Sequence, residues 1–182
     1  QALGIYGIKT DLDLRTNAEA NNITKSPLGD DMNYVHIPTF KGYIAVNNEG
    51  QFENYKKIFK LLADSNSYPI YFHCYQGADR TGTIADLIEG LMGVSDEDRI
   101  KDYELTSFSS GVDAYRDVSM SSCQYKFIKM NISAIEKAST YQKSIEMYLK
   151  DKLSLEDSEI KSIKDILSGK VNVNKADIAL IK

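Results

Sequence analysis

Long apolar runs are missing from this sequence. No stretch is long enough to cross a bilayer, and no signal-peptide pattern follows Gln1. We therefore predict a soluble chain with no transmembrane segment, and its compartment stays open. Because the first residue is not Met, we expect that an upstream segment has been removed or left out.

Cysteine is scarce, with only Cys74 and Cys123 in 182 residues. Two cysteines are too few for a disulfide framework, so a disulfide-stapled scaffold is excluded. Cys123 is left with two interpretations: an ordinary structural cysteine, or a resolving thiol that protects a reactive one.

Net positive charge is also missing. The 22 basic residues are outnumbered by 26 acidic ones, for a formal charge of −4. This balance argues against nucleic acid as a partner and leaves a small phosphorylated ligand open. No internal repeat or low-complexity segment is present, which excludes a repeat architecture. We predict one domain over 1–182, with a core at about 5–110 and a helical part at about 111–182.

The most informative stretch is the ten-residue segment 73–82, His-Cys-Tyr-Gln-Gly-Ala-Asp-Arg-Thr-Gly. The apolar run Ile70-Tyr71-Phe72 before it predicts a strand, and the apolar residues after it predict a helix. A loop that joins a strand to a helix start can point backbone N–H groups at one position, where the helix dipole also favours negative charge. The segment therefore predicts an anion-binding loop.

Chemistry at this loop depends on a few side chains. Helix starts and nearby cations lower thiol pKa values, so we expect Cys74 to be ionised near neutral pH. Arg80 can present a planar fork to two phosphate oxygens. Gly77 and Gly82 permit the tight curl, and Thr81 can hydrogen-bond the thiolate or position a water.

His73, Cys74, Gly77, Arg80, Thr81 and Gly82 resemble the signature loop of the cysteine-dependent protein tyrosine phosphatase superfamily, which includes dual-specificity enzymes. The segment 7–15, with Asp-Leu-Arg at its end and Glu19 beyond it, looks like the corresponding stretch of a bacterial branch. We expect Arg15 and Glu19 to fasten the loop scaffold through an ion pair, although a solvated charged turn is the alternative.

The resemblance implies a phosphoester hydrolase with no metal and no cofactor. In it, Cys74 attacks phosphorus, Arg80 and the loop amides stabilise the phosphoryl oxygens, and water hydrolyses the phosphocysteine. The implied phosphate-binding residues are Tyr75, Gln76, Gly77, Ala78, Asp79 and Arg80, with support from His73, Gly82 and Arg15. The implied partner is a phosphorylated protein or a small phosphoester.

The general acid has several candidates. Asp79 is favoured, because the resembling bacterial branch has an Asp at this loop position, although it could instead only brace Arg80 or the loop amides. The other candidates are Glu49, Glu53, Asp30 and Asp31.

Substrate preference can be argued from one departure. The chain has Gln76-Gly77-Ala78 where the bacterial branch has Ala-Gly-Lys, so it lacks a cation suited to inositol head groups. Tyr75, Phe40 and Tyr43 could wall the site for an aryl phosphate, or simply pack. We rank phosphotyrosine first, mixed phosphoprotein substrates second, and inositol phosphates or phosphoinositides third.

Other interpretations of the signature loop stay open. The same loop could form a phosphate-binding module with negligible turnover, or serve a rhodanese-like sulfur carrier or an arsenate reductase. A buried structural cysteine before a surface turn is the plainest alternative.

The remaining periodicity alternates strands with helices, which favours an α/β fold with a mostly parallel central sheet flanked by helices. His36, on the second strand, is interpreted as a core imidazole rather than a catalytic base. The helical segment at about 111–167 is expected to pack beside the site as a partial lid. The predicted strands are 8–14, where alternating residues indicate a half-buried strand, 34–38 and 70–72. The predicted helices are 52–62, 81–92 with Gly93 at its end, 95–108, 125–138, 140–152 and 154–167. Residues 39–51 are predicted as a loop, 111–122 as irregular, and 171–182 as a short strand or a loose helix.

Overall fold

A three-stranded parallel sheet carries the signature loop. The computed structural model describes residues 7–40, 42–108, 124–135 and 138–173. Its strands are β1 (Thr10–Asp13), β2 (Asn33–His36) and β3 (Ile70–His73), in the order β2-β1-β3. With helices around this sheet, the predicted α/β class with a parallel sheet is confirmed.

The two faces of the sheet differ in chemistry. Parallel pairing aligns Leu12 with Val35 and Phe72, and this apolar side packs into the core. The opposite face carries Asp11 and Asp13 from the central strand. Our expectation of a half-buried first strand is wrong, because all four β1 residues are buried. As the central strand, β1 has neighbours on both sides, and its carboxylates have polar partners inside the fold.

Eight helices flank the sheet within the described residues. In chain order they are α1 (Asn17–Ala20), α2 (Gly42–Ala45), α3 (Glu49–Ala63), α4 (Asp79–Met92), α5 (Asp96–Leu105), α6 (Gln124–Ile135), α7 (Tyr141–Met147) and α8 (Asp157–Leu167). Helix α4 directly follows the signature loop and contacts α2, α5, α6, α7 and α8. The loop is therefore backed by the most widely packed helix of the described fold.

Several helix ends follow their capping residues. Helix α4 ends at Gly93, which adopts φ +78°, as predicted. The Ser95 hydroxyl accepts the Asp98 amide at the start of α5. Asn48 caps α3 in the same way by accepting the Gly50 amide, so this helix begins three residues earlier than predicted.

Other boundaries differ from the predictions. Helix α2 lies inside a segment predicted as a loop. The predicted helix 140–152 divides into α7 and a π-helical turn over Tyr148–Lys152. Ser154 adopts φ +53°, which a helix cannot accommodate, so the last helix begins at Asp157 instead.

Some predictions fall outside the described residues. These include the irregular segment before α6, Cys123, most of the tail after 173, and the Tyr43 side chain. The partial lid and the domain limits stay predictions. No helix in the described ranges is both long and apolar enough to cross a membrane.

Candidate active site

An open cavity of about 200 Å³ lies where the chain leaves the sheet and enters α4. Backbone hydrogen bonding draws β1 and β3 together here, because the Leu14 amide donates to the His73 carbonyl at 2.8 Å. The cavity is lined by Glu19, Cys74, Tyr75, Gln76, Asp79 and Arg80. Five of these six residues belong to the signature loop, and Glu19 comes from α1.

The Cys74 thiol is buried and surrounded by donors. Burial opposes ionisation, but hydrogen bonds from Thr81 and from the amides of Gln76 and Gly77 outweigh it and lower the pKa of Cys74. Gly77 adopts φ +72°, a conformation that favours glycine and lets the loop amides turn toward the sulfur. The loop therefore stabilises negative charge at the position where a nucleophilic sulfur needs it.

The start of α4 has no side-chain cap. Ala78 occupies the N-cap position and offers no oxygen, so the first amides of the helix are not satisfied by a cap. The helix begins at Asp79, two residues before the predicted Thr81, which puts Arg80 in its first turn. An uncapped helix start beside a cavity is suited to binding an anion.

Arg80 is clamped by Glu19. Its Nη1 lies 2.5 Å from Glu19 Oε2, and its Nη2 lies 2.9 Å from Oε1. Glu19 Oε2 also accepts the Thr16 amide at 2.8 Å, as part of the capping box of α1. The Arg80 hydrogen bonds lower the pKa of Glu19 to about 2, so the carboxylate stays charged at neutral pH.

This clamp corrects one expectation. We expected Glu19 to pair with Arg15, but Arg15 instead pairs with Asp13, with Nη2 at 2.6 Å from Oδ2. Burial opposes ionisation of Asp13, but hydrogen bonds from Arg15 and Tyr34 outweigh it and lower its pKa to about 2. Arg15 thus supports the carboxyl end of the central strand β1, and Glu19 holds Arg80. The Thr-x-x-Glu pattern at 16–19 marks a capping box, but it carries no signal for Arg80.

The two histidines occupy the polar face of the sheet. His36 lies with Nε2 at 2.7 Å from the Arg15 carbonyl oxygen, so it is hydrogen-bonded as interpreted, but it is half-buried rather than in the core. His73 Nε2 lies 3.1 Å from Asp11 Oδ1. Sequence reasoning missed Asp11, because a carboxylate in an alternating strand suggests a solvent-facing position.

Among the general-acid candidates, only Asp79 lines the cavity. Asp30 is exposed and pairs with Lys25 at 2.6 Å. Glu49 lies in a different surface pocket, with Ile44 and Asn131. Neither Glu53 nor Asp31 belongs to the cavity lining either.

The aromatic candidates separate in the same way. Tyr75 lines the cavity and is 70% exposed, so its ring is available at the mouth. Phe40 is exposed but does not line the cavity, and its amide donates to Gln51 Oε1 at 2.9 Å. Gly82 lies within α4 rather than at the cavity surface. Across the described ranges, no group of three or more His, Cys, Asp or Glu side chains could hold a metal ion.

Comparison with known proteins agrees with this geometry. The Tyrosine phosphatase family profile matches residues 1–169. A Tyrosine-protein phosphatase of Nostoc commune is 29% identical over 125 residues, which cover 58% of this chain and 42% of that protein. The chain thus spans less than half the length of this curated relative. Because the family match covers nearly the whole chain and includes the signature loop, the chain belongs to the tyrosine phosphatase family.

Proposed function

We propose that this chain is a phosphomonoesterase that works through a phosphocysteine, with phosphotyrosine as the preferred substrate and mixed phosphoprotein substrates second. The observation that carries the proposal is one cavity in which the Cys74 sulfur, the loop amides and Arg80 converge. Each of these groups favours a tetrahedral dianion next to a thiolate.

The first step is attack of the Cys74 thiolate on phosphorus. An S–P bond forms, the P–O bond to the leaving group breaks, and Asp79 gives its proton to the departing oxygen. Water then attacks the phosphocysteine and loses its proton to Asp79. Inorganic phosphate leaves, and the thiolate is regenerated.

Arg80 supplies the charge that matches the phosphoryl oxygens. The guanidinium has five N–H donors, and Glu19 accepts one from each terminal nitrogen, so donors remain for a phosphate. The bidentate clamp also fixes the plane of the guanidinium before substrate arrives. Such preorganisation avoids a reorganisation cost in the transition state.

The substrate preference follows from the cavity lining. Among the described residues that line the cavity, Arg80 is the one basic residue and Glu19 and Asp79 are acidic, so the lining suits a single phosphate better than a cluster of them. The exposed Tyr75 ring at the mouth can stack on an aryl group. These two features support an aryl monoester over an inositol polyphosphate.

A hydrolysis assay with p-nitrophenyl phosphate tests the proposal, with Cys74→Ser as the matched variant. We expect wild-type turnover to exceed that of the variant by at least about 1,000-fold, because the hydroxyl is a far weaker nucleophile. Phosphate binding to both proteins, measured by calorimetry, serves as the control. A wild-type rate no higher than that of Cys74→Ser, with binding intact, would leave only a phosphate-binding module.

The role of Asp79 is tested by leaving-group dependence. We expect Asp79→Asn to lose about 100-fold in kcat on alkyl phosphates and much less on p-nitrophenyl phosphate, since a good leaving group needs no proton. Equal losses on both substrates would assign Asp79 to bracing the loop.

A further inference from the structure

Asp11 is a fully buried carboxylate on β1 with one titratable partner, His73, within ion-pair distance among the described residues. Its side chain is 0% exposed. Oδ2 accepts the Ser26 hydroxyl at 2.6 Å, and Oδ1 lies 3.1 Å from His73 Nε2. Oδ1 has no hydrogen-bond partner among the described residues, so its contact with His73 is an ion-pair contact rather than an aligned hydrogen bond. A buried carboxylate without a counter-charge is costly, so the charge state of His73 is tied to Asp11.

The second ring nitrogen of His73 also faces an acceptor. Nδ1 lies 3.2 Å from the Cys74 carbonyl oxygen. A neutral imidazole has one N–H, so it can donate to the carboxylate or to the carbonyl but not to both. An imidazolium carries an N–H on both nitrogens, so it donates to the carbonyl while it sets positive charge 3.1 Å from the carboxylate, and the two contacts together favour the protonated ring.

The other charged and titratable groups around His73 do not replace Asp11. Asp13, on the same strand, is already neutralised by Arg15 and Tyr34. Tyr71, on β3, stacks against the imidazole with ring centroids 5.4 Å apart and contributes no charge. Among the described residues, Asp11 is thus the carboxylate that contacts His73 directly.

We propose that Asp11 is a positioning residue that, oriented by Ser26, holds His73 as an imidazolium and thereby favours the Cys74 thiolate. This inference rests on the proposed function of Cys74 as nucleophile. A cation one residue before Cys74 lowers the free energy of its thiolate, and the Nδ1 contact holds the Cys74 carbonyl at the turn from strand to loop. The Asp11 interaction correspondingly raises the pKa of His73.

The first measurement needs no variant and no turnover. The chain has two histidines, so ¹⁵N and ¹H NMR can follow both rings separately. We expect His73 to have both nitrogens protonated at about pH 7 and to titrate above the ordinary value near 6.5. A neutral His73 at that pH would overturn the proposal, whether or not the protein hydrolyses phosphoesters.

The second measurement compares proteins with and without Asp11→Asn. Both also carry Cys123→Ser, so that Cys74 is the one thiol available for alkylation. We expect the His73 midpoint to fall by at least about one unit and the midpoint for alkylation of Cys74 by iodoacetamide to rise by about 0.5–1 unit. The His36 ring, which contacts the Arg15 carbonyl oxygen, is the internal control. An unmoved His73 or Cys74 midpoint in a folded variant would contradict the proposal.

Ser26→Ala is a milder second variant that keeps the proposal testable if Asp11→Asn does not fold. It keeps the Asp11 carboxylate and removes only the Ser26 hydroxyl. We therefore expect the midpoints of both His73 and Cys74 to shift in the same directions as in Asp11→Asn, but by less. If Ser26→Ala and Asp11→Asn shift only the stability and neither midpoint, Asp11 is merely structural. If the midpoints shift as expected but wild-type turnover is absent, the proposed function fails and the linkage from Asp11 to Cys74 stands.

Discussion

Glu19 performs two tasks with one carboxylate. Its Oε2 closes the capping box of α1 through Thr16, and both oxygens hold Arg80. Because Glu19 accepts hydrogen bonds from both Thr16 and Arg80, it links α1, the short helix after β1, to the loop after β3. The orientation of the phosphate-binding guanidinium therefore depends on a residue outside the signature loop.

Replacement of Glu19 by Gln tests this dependence. The amide offers one oxygen to the guanidinium and no charge, so Arg80 loses its bidentate hold. We expect kcat/KM for p-nitrophenyl phosphate to fall about 10-fold, mostly through a higher KM, because Arg80 must be reoriented on binding.

Glu97→Gln is the matched control for Glu19→Gln. It is the same chemical change at an exposed position on α5, where Glu97 pairs with Lys101 on the same helix. It should leave the kinetics unchanged. Unaltered or improved kcat/KM in Glu19→Gln would mean that Glu19 competes with phosphate rather than preparing Arg80.

At the scale of elements, α4 has two different ends. Its first turn is uncapped and faces the cavity, whereas its last turns pack closely against α7. At Gly90, an added Cβ would lie 2.4 Å from Ile145 Cδ1 and 2.8 Å from Tyr141 Cε1. The absence of a side chain at Gly90 permits the close approach of α7.

Gly90→Ala should therefore destabilise the fold although Ala is the better helix former. We expect the free energy of unfolding to fall by about 1–3 kcal/mol, as overpacked core positions do, measured by urea unfolding. Gly82→Ala, in the same helix, meets nothing within 4 Å and should be neutral or stabilising by up to about 1 kcal/mol. Equal effects at the two positions would rule out the packing explanation.

For the whole molecule, a buried ionic cluster joins the helices behind the loop. Arg99, on α5, donates to Asp86 on α4 at 2.7 Å and to the Tyr125 hydroxyl on α6 at 3.0 Å. Its guanidinium also lies 4.1 Å from the centre of the Tyr141 ring on α7, and Tyr141 donates to Asp86 at 2.7 Å. Four helices thus meet at one guanidinium, so their relative placement depends on charge as well as on apolar packing.

Glu89 makes this cluster sensitive to pH. Burial and the nearby carboxylates of Asp102 and Asp86 raise the pKa of Glu89 from 4.5 to about 7. Between these values the unfolded chain has lost the proton and the folded chain retains it, so this group's stabilisation is full below about pH 4.5 and is lost as pH rises through 7.

Glu89→Gln should remove the loss of folding stability that occurs as pH rises through 7. We expect the stability of the variant relative to wild type to be greater at about pH 8 than at about pH 5 by roughly 1–2 kcal/mol, a discounted figure because the side chain is partly exposed. Urea unfolding at the two pH values measures it. Glu97→Gln, at an exposed position, should show no such difference. A change in stability of Glu89→Gln that is the same at both pH values would contradict the raised pKa of Glu89.

Local sequence patterns determined most of the elements. The apolar run 70–72, the glycine at 93 and the serine at 95 act over a few residues, so a strand, a helix end and a helix start could be predicted from them. The signature loop could be predicted equally well, because its amide donors, its cysteine and its arginine lie within a few residues of one another in the sequence. The alternating pattern around β1 did not reveal burial, since solvent exposure of a strand depends on what covers it.

Only the tertiary structure decided which side chains serve the loop. Arg80 finds its carboxylate 61 positions earlier in the chain, and His73 finds Asp11 on the neighbouring strand. Such pairs form because parallel strands bring their carboxyl ends to one edge, and no local pattern specifies which acid meets which base. The sequence by itself determined where an anion can be held; folding decided which charges prepare that position.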